Sequence, residues 1–355
     1  MAEKRGPPAS STTDEDGNDT GTAIILKRQK IAADAVILGS ITKEGIKRTS
    51  NLMAPTMQLT GHAGEVLALQ YNPDGDVLAS GSFDKEVFLW RAFGENKNYS
   101  VLKGHKNAVL ELHWFPDGER LVTASADKTM RCWDAVTGTQ VKKMTEHDNF
   151  VNAVCPLRRG GPMFVSGSDD ATVKVWDLRV KRSVQTLNEK LQVCAVAFSE
   201  AGDQVYSGGL DNVVKVWDLR KGAVSISLKG HSDTITGLSL SPDGSFLLSN
   251  SMDNTLREWD VRPYAPAVRC TKVFTGHMHN FEKQLLRCHW SPDGSQVTAG
   301  SGDRNVYVWD ASSRKLMYKL PGHTGSVNEV VFHPKEPIIA SASSDRTIFL
   351  GELML

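Results

Sequence analysis

A Trp-Asp pair returns along this chain at Trp133-Asp134, Trp176-Asp177, Trp217-Asp218, Trp259-Asp260 and Trp309-Asp310. Trp90-Arg91 belongs to the same series, and successive Trp positions lie 43, 43, 41, 42 and 50 residues apart. One more step of 42 reaches Gly351-Glu352, a degenerate seventh copy. A fixed period of this size marks a chain built from neighbouring copies of one small unit.

Other positions keep the same beat. An Asp stands six residues before each Trp position: Asp84, Asp127, Asp170, Asp211, Asp253, Asp303 and Asp345. A Ser or Thr stands ten residues before it at Ser80, Thr123, Ser166, Ser207, Ser249 and Ser341, with Ala299 as the exception. Gly-His recurs at Gly61-His62, Gly104-His105, Gly230-His231, Gly276-His277 and Gly322-His323. Glu146-His147 is a variant, and Glu189 takes the His place in the fourth copy. Between these marks lie short β-rich runs such as EVLALQY, VLASGS and EVFLW, cut by turns such as Asn72-Pro73-Asp74-Gly75.

These residues resemble the WD-repeat family from about residue 55 onward. The resemblance implies an all-β, seven-bladed β-propeller with four antiparallel strands per blade. It also implies that the His, Ser/Thr, Asp and Trp of a blade form one hydrogen-bonded chain. His62, Ser80, Asp84 and Trp90 are one such set. A buried polar group without a partner costs about 1–3 kcal/mol. Blades four and six, lacking the His and the Ser, are therefore expected to carry incomplete networks.

The predicted domain division is a disordered tail at 1–50 and a propeller at 51–355. The last repeat has room for three strands only, so its outer strand is expected from 54–60. Residues 1–22 are rich in Pro, Ser, Thr, Asp and Gly, a composition that buries little apolar surface. Lys27, Arg28 and Lys30 fit a short nuclear-import pattern.

Composition sets further limits. Lys plus Arg equals Asp plus Glu at 41 each, so there is no basic excess of the kind nucleic-acid binders carry. The five cysteines form no C-x-x-C pair, which argues against a disulfide framework and a Cys-based zinc site. This points to a reducing compartment. His277 and His279 have no evident third ligand, so no metal and no cofactor is expected. Nucleotide-binding, serine-hydrolase and zinc-protease motifs are absent, and the chain reads as no enzyme.

In the family, the loops into each first strand and those joining second to third strands share one face. The residue before the recurrent Asp is a common contact there. Large apolar residues occupy it at Phe83, Leu210 and Met252, and Phe150 lies in a neighbouring loop. The long fifth-to-sixth interval adds residues 261–270 and 277–286, with Phe281, Glu282 and Lys283 as contact candidates. Insertions in repeat arrays tend to fall on a binding face. The opposite face is assigned a basic patch of Arg158, Arg159, Arg179, Lys181, Arg182, Arg220, Lys221 and Arg262, suited to an acidic protein or an RNA backbone.

A closer resemblance rests on Ser166–Arg179, Ser207–Arg220, Trp259–Pro266, His279–Gly294 and Lys319–Ile339. These segments are similar to the WD-repeat subunits of the U5 small nuclear ribonucleoprotein of the spliceosome. That family implies a non-catalytic scaffold in pre-mRNA splicing, located in the nucleus. Its partner would be the large scaffold protein of the U5 particle with neighbouring splicing proteins. RNA contact would be indirect or minor, membranes uninvolved, and the chain a monomer within a large complex. The alternative is a substrate receptor of a cullin ubiquitin ligase, suggested by Trp-Asp-x-Arg boxes at 176–179, 217–220 and 259–262.

Overall fold

The computed structural model describes residues 50–353. The expectations for the tail and for Lys27, Arg28 and Lys30 lie outside them. The described residues form twenty-eight strands in seven four-stranded antiparallel sheets, and no helix. The chain is a seven-bladed β-propeller, as the repeat pattern predicts.

Each blade runs outward from an inner strand. The inner strands are Val66–Tyr71, Val109–Trp114, Val151–Pro156, Val193–Phe198, Ile235–Leu240, Cys288–Trp290 and Val327–Phe332. Each packs against the next, and the seventh meets the first, so the ring closes. Thr56–Leu59 is the outer strand of the last blade, pairing Thr56 with Gly351 and Leu59 with Ile348. Nearby, Ser50 N–H donates to Glu352 Oε1 at 2.8 Å and Asn51 N–H to Glu336 Oε2 at 2.9 Å. Burying the last edge removes a template for unwanted strand pairing.

Both faces of the inner strands of each blade are covered by neighbours, so these strands read as nearly continuous apolar runs, whereas outer strands such as Gln140–Met144 and Ala223–Lys229 are largely exposed. Leu78 packs toward Val331 and Ile338 of blade seven, while the adjacent Ala79 packs toward Val109 and Leu112 of blade two. The blades approach closely near the ends of the second strands. A Cβ on Gly81 would lie 2.8 Å from Val109 Cγ1, and one on Gly208 would lie 2.8 Å from Ile235 Cγ2. In six blades the inner pair has a register shift at its start, as between Val66 and Ala68. Blade six lacks it, and its first two strands shrink to Cys288–Trp290 and Gln296–Ala299.

Candidate interaction site

The recurrent polar residues form the chains that hold the loops. In blade one, His62 Nδ1 lies 2.8 Å from Asp84 Oδ2 and Nε2 lies 2.7 Å from Ser80 Oγ. A carboxylate only accepts, so Nδ1 donates and Nε2 accepts the Ser80 hydroxyl proton. Trp90 Nε1 donates to Ser80 Oγ at 2.8 Å. Blades two, three and five repeat this through His105, His147 and His231. Blade seven has His323, Ser341 and Asp345, and its chain ends at Ser341 because Gly351 stands in the Trp position. The Asp also anchors its loops: Asp84 accepts from Ala63 N and Glu86 N. Burial would raise the carboxyls of Asp84, Asp127, Asp170 and Asp253, but hydrogen bonds to the histidine and other donors hold them below their ordinary value.

Blade four corrects the expectation of an incomplete network, and blade six bears it out. In blade four, Ser207 Oγ donates to Glu189 Oε1 at 2.7 Å, and Trp217 Nε1 donates to Ser207 Oγ at 2.8 Å. Lys215 bridges Glu189 and Asp211. An ion pair thus replaces the imidazole and the chain is complete. Blade six is rewired instead. Tyr307 OH donates to Asp303 Oδ2 at 2.6 Å, and His277 Nε2 turns to Asn250 Oδ1 of blade five at 2.8 Å. Among the described residues, the other His277 nitrogen and both of His279 have no hydrogen-bond partner. Burial pushes His277 down to about 3 and His279 to about 4. Among the described residues no three metal-ligating side chains converge.

The inner edges of the sheets face the central channel with unpaired backbone groups. Side chains from neighbouring blades cap them. Arg287, the first residue past the 277–286 insertion, donates to the carbonyls of Asn152, Cys194 and Thr236 at 2.6, 3.0 and 2.8 Å. Its Nε sits 3.3 Å from Glu111 Oε1. Glu111 accepts from Val154 N, and Glu329 from Leu69 N at 2.6 Å and His289. Trp114 and Trp290 donate to Gln70 O and Ser239 O at 3.1 and 3.2 Å. Below these caps the channel opens into a cavity of about 600 Å³ lined by Trp114, His289, Trp290, Arg158 and the turn prolines. Strand register puts Arg287 in one column with Ala68, Glu111, Ala153, Ala195, Gly237 and Glu329, so its signal in the repeats was a charge at a position that is Ala or Gly in four blades. Burial raises the thiols of Cys155 and Cys194 to about 11 and 12, which leaves them poor nucleophiles.

We call the face with the inbound loops and the Asp-bearing turns the upper face. Phe281 is 91% exposed and Phe83 59%, with Phe150 and Leu210 exposed to a lesser degree. Met252 is half-buried. Glu282 accepts from Asn280 and from Ser326 Oγ of blade seven. Gln284 bonds Glu65 of blade one and Ser344 of blade seven, so the insertion is tied across three blades. Lys283 is exposed.

The lower basic residues are largely engaged. Arg158 donates its guanidinium to the carbonyls of Leu240 and Ser241, capping blade five. Arg179 pairs with Asp177, Arg262 with Asp260, Lys221 with Asp218 and Arg159 with Glu200. Lys181, Arg182 and Arg220 are exposed and make no ion pair among the described residues. The patch carries far less free charge than its count of cations suggests.

Comparison with known proteins follows the same lines. The WD domain, G-beta repeat matches at 53–91, 96–134, 138–177, 181–218, 222–260, 268–310 and 314–350. The chain is 58% identical over 315 residues to a human protein named U5 small nuclear ribonucleoprotein 40 kDa protein, covering 89% of this chain and 88% of the relative. A Dictyostelium discoideum protein of the same name is 52% identical, covering 87% of each chain. The Schizosaccharomyces pombe pre-mRNA-splicing factor cwf17 is 47% identical, covering 93% of this chain and 96% of the relative.

Proposed function

The chain belongs to the WD-repeat family and, within it, to the family of the U5 small nuclear ribonucleoprotein 40 kDa protein, and we propose that it is a non-catalytic scaffold of the U5 particle in pre-mRNA splicing. The observation that carries this reading is the 58% identity to the human U5 protein over 88% of its length. The work would be done in the nucleus. The main partner would be the large scaffold protein of that particle, with RNA contact indirect or minor.

The geometry supports a docking role. The ring is closed, and most polar groups in its channel are occupied with capping backbone edges. The upper face presents Phe83, Phe150, Leu210, Phe281 and the tied-down insertion with Glu282 and Lys283. Exposed aromatic groups on a rigid support are good anchors for a protein interface. Met252 contributes a flanking apolar contact. The cullin-receptor alternative is weaker, because two of its three Trp-Asp-x-Arg boxes are explained locally. Asp177 and Asp260 each accept from the backbone and the guanidinium of the arginine two residues on.

The test is affinity purification of the tagged chain from nuclear extract, with RNA and protein identified together. Recovery of U5 RNA with the large splicing scaffold is expected; recovery of a cullin and its adaptor without that RNA would overturn the reading. A Phe83→Ala, Met252→Ala variant should keep its melting temperature and lose that scaffold. Undiminished recovery by the variant would remove these residues from the contact face.

A further inference from the structure

The turn joining second to third strands has one left-handed residue in every blade, directly after the recurrent Asp. The φ values are 76° at Lys85, 68° at Lys128, 60° at Ala171, 62° at Asn212, 61° at Asn254, 69° at Arg304 and 69° at Arg346. Such a backbone favours Gly and Asn, because a branching side chain crowds the following carbonyl. Blades four and five follow that preference with Asn. Blades six, seven, one and two, which are consecutive around the ring, place Arg304, Arg346, Lys85 and Lys128 there instead. All four are exposed, and none makes an ion pair within the described residues. Among the described residues these four side chains make no hydrogen bond or ion pair, whereas Asn212 donates to Ser232 O and Asn254 accepts from His279 N–H.

Two more unpaired, exposed cations stand in the inbound loops of the same arc: Lys106 in blade two and Lys283 in blade six. The acids of this arc are otherwise occupied. Asp84, Asp127, Asp303 and Asp345 are turned into the polar chains. Glu86 pairs with Lys103, Glu65 accepts from Gln284, and Glu282 accepts from Asn280 and Ser326. Over blades three to five the same loops carry exposed Asp148 and Asp233 and half-buried Asp169 against exposed Lys190, with Lys229 exposed at the strand end that enters the blade-five loop. The free positive charge of the upper face is therefore concentrated on the arc of blades six, seven, one and two. Phe83 lies two residues before Lys85, and Phe281 two before Lys283. The positive arc thus pairs each of its most exposed aromatic groups with a free cation.

We infer that the upper rim of blades six, seven, one and two is the docking surface for a protein segment in which acidic side chains alternate with apolar ones. Carboxylates would meet Arg304, Arg346, Lys85 and Lys128, while apolar side chains cover Phe83 and Phe281. The acids on blades three to five would repel a polyanion laid across the whole face and would fix the segment's direction. This inference rests on the reading of the upper face as the docking face and specifies the partner's chemistry.

The test replaces the four cations by the residue that blades four and five already use: Lys85→Asn, Lys128→Asn, Arg304→Asn and Arg346→Asn together. The full chain is titrated against a labelled peptide in which Glu alternates with Leu and Phe. Controls are the same peptide with Lys for Glu and an oligouridylate of matching length. The native chain should prefer the acidic peptide, weaken with salt, and lose about tenfold or more in affinity in the Asn variant. The variant's melting temperature should be unchanged or raised, since Asn suits the left-handed turn. Equal binding by native chain and variant would overturn the inference. So would a preference for the oligouridylate carried by the same four cations. Purification from nuclear extract separates the two levels. If the native chain brings down U5 RNA and the variant does so equally, the surface assignment fails while the scaffold reading stands. If the native chain brings down no U5 RNA, the scaffold reading fails, and the peptide titration still decides the surface.

Discussion

Blade two and blade six are built to the same plan, yet they hold themselves together differently. In blade two, His105 links Asp127 to Thr123, and Trp133 closes the chain at 3.0 Å. In blade six, Asp303 binds a tyrosine, the histidine turns to the neighbouring blade, and Trp309 Nε1 donates to Thr275 O. Blade two stabilises itself; blade six is stabilised by its neighbours. What blade six gives the ring in return is Arg287, which reaches three blades through their carbonyls and a fourth through Glu111. A repeat that departs from the pattern can thus serve the whole ring better than one that keeps it.

The comparison can be broken most directly at Arg287. Arg287→Met leaves Glu111 without its buried cation and three buried carbonyls without their donor, and removing one partner of a buried pair costs about 3–5 kcal/mol. A denaturant midpoint unchanged by this substitution would show that the channel does not depend on blade six. Within the regular blades the Asp is the anchor. Asp127→Ala removes the acceptor of His105, Lys106 N and Thr129 N. The expected loss is about 2–3 kcal/mol, in the range for hydrogen bonds to a charged group. Asp211→Ala in blade four should cost less, because Asp211 holds only Val213 N, at 3.3 Å, and shares Lys215 with Glu189. Equal losses in the two variants would erase the distinction between the networks.

Blade four offers a finer test. Glu189→His and Lys215→Phe should each destabilise alone, and together they recreate the arrangement of blade one, where Phe88 stacks on His62 at 4.0 Å. The double variant should recover about 1 kcal/mol or more relative to the sum of the singles, as contacting residues do. Simple additivity would mean that the ion pair is no substitute for the imidazole. The smallest effect is on pH dependence. Burial keeps His277 and His279 neutral down to about 3 and 4, while in the unfolded chain they titrate near about 6.5. Between those values the unfolded chain binds more protons, so stability falls as pH drops below about 6.5. His277→Phe with His279→Phe should flatten the fall in melting temperature between neutral pH and about pH 5. An unaltered slope would place the titration elsewhere in the molecule.

The fold was legible because the repeats align position by position. Trp, Asp, Ser or Thr, and His recur at fixed offsets, and in blades one, two, three and five each has the same contacts. What repeat alignment misses is compensation between positions. Glu189 reads as a lost histidine, and its partner Lys215, far along the chain, reads as one more surface lysine. The lower basic patch was overcounted for a related reason. Arg179 and Arg262 each sit two residues after an aspartate, which folds back to neutralise them. Arg158 points inward to cap a backbone edge, a role set by the channel and not by its own blade. The cations at Lys85, Lys128, Arg304 and Arg346 were one column beyond the recurrent Asp. Their meaning emerged only when the left-handed backbone beneath them was seen.

The most direct measurement is lysine cross-linking of the full chain within purified U5 particles, read by mass spectrometry. The account predicts cross-links to the large scaffold protein from Lys85, Lys106, Lys128 and Lys283 on the upper face, with Lys181 and Lys221 on the lower face remaining open to modification. Cross-links from Lys181 and Lys221, with the upper lysines open, would contradict it.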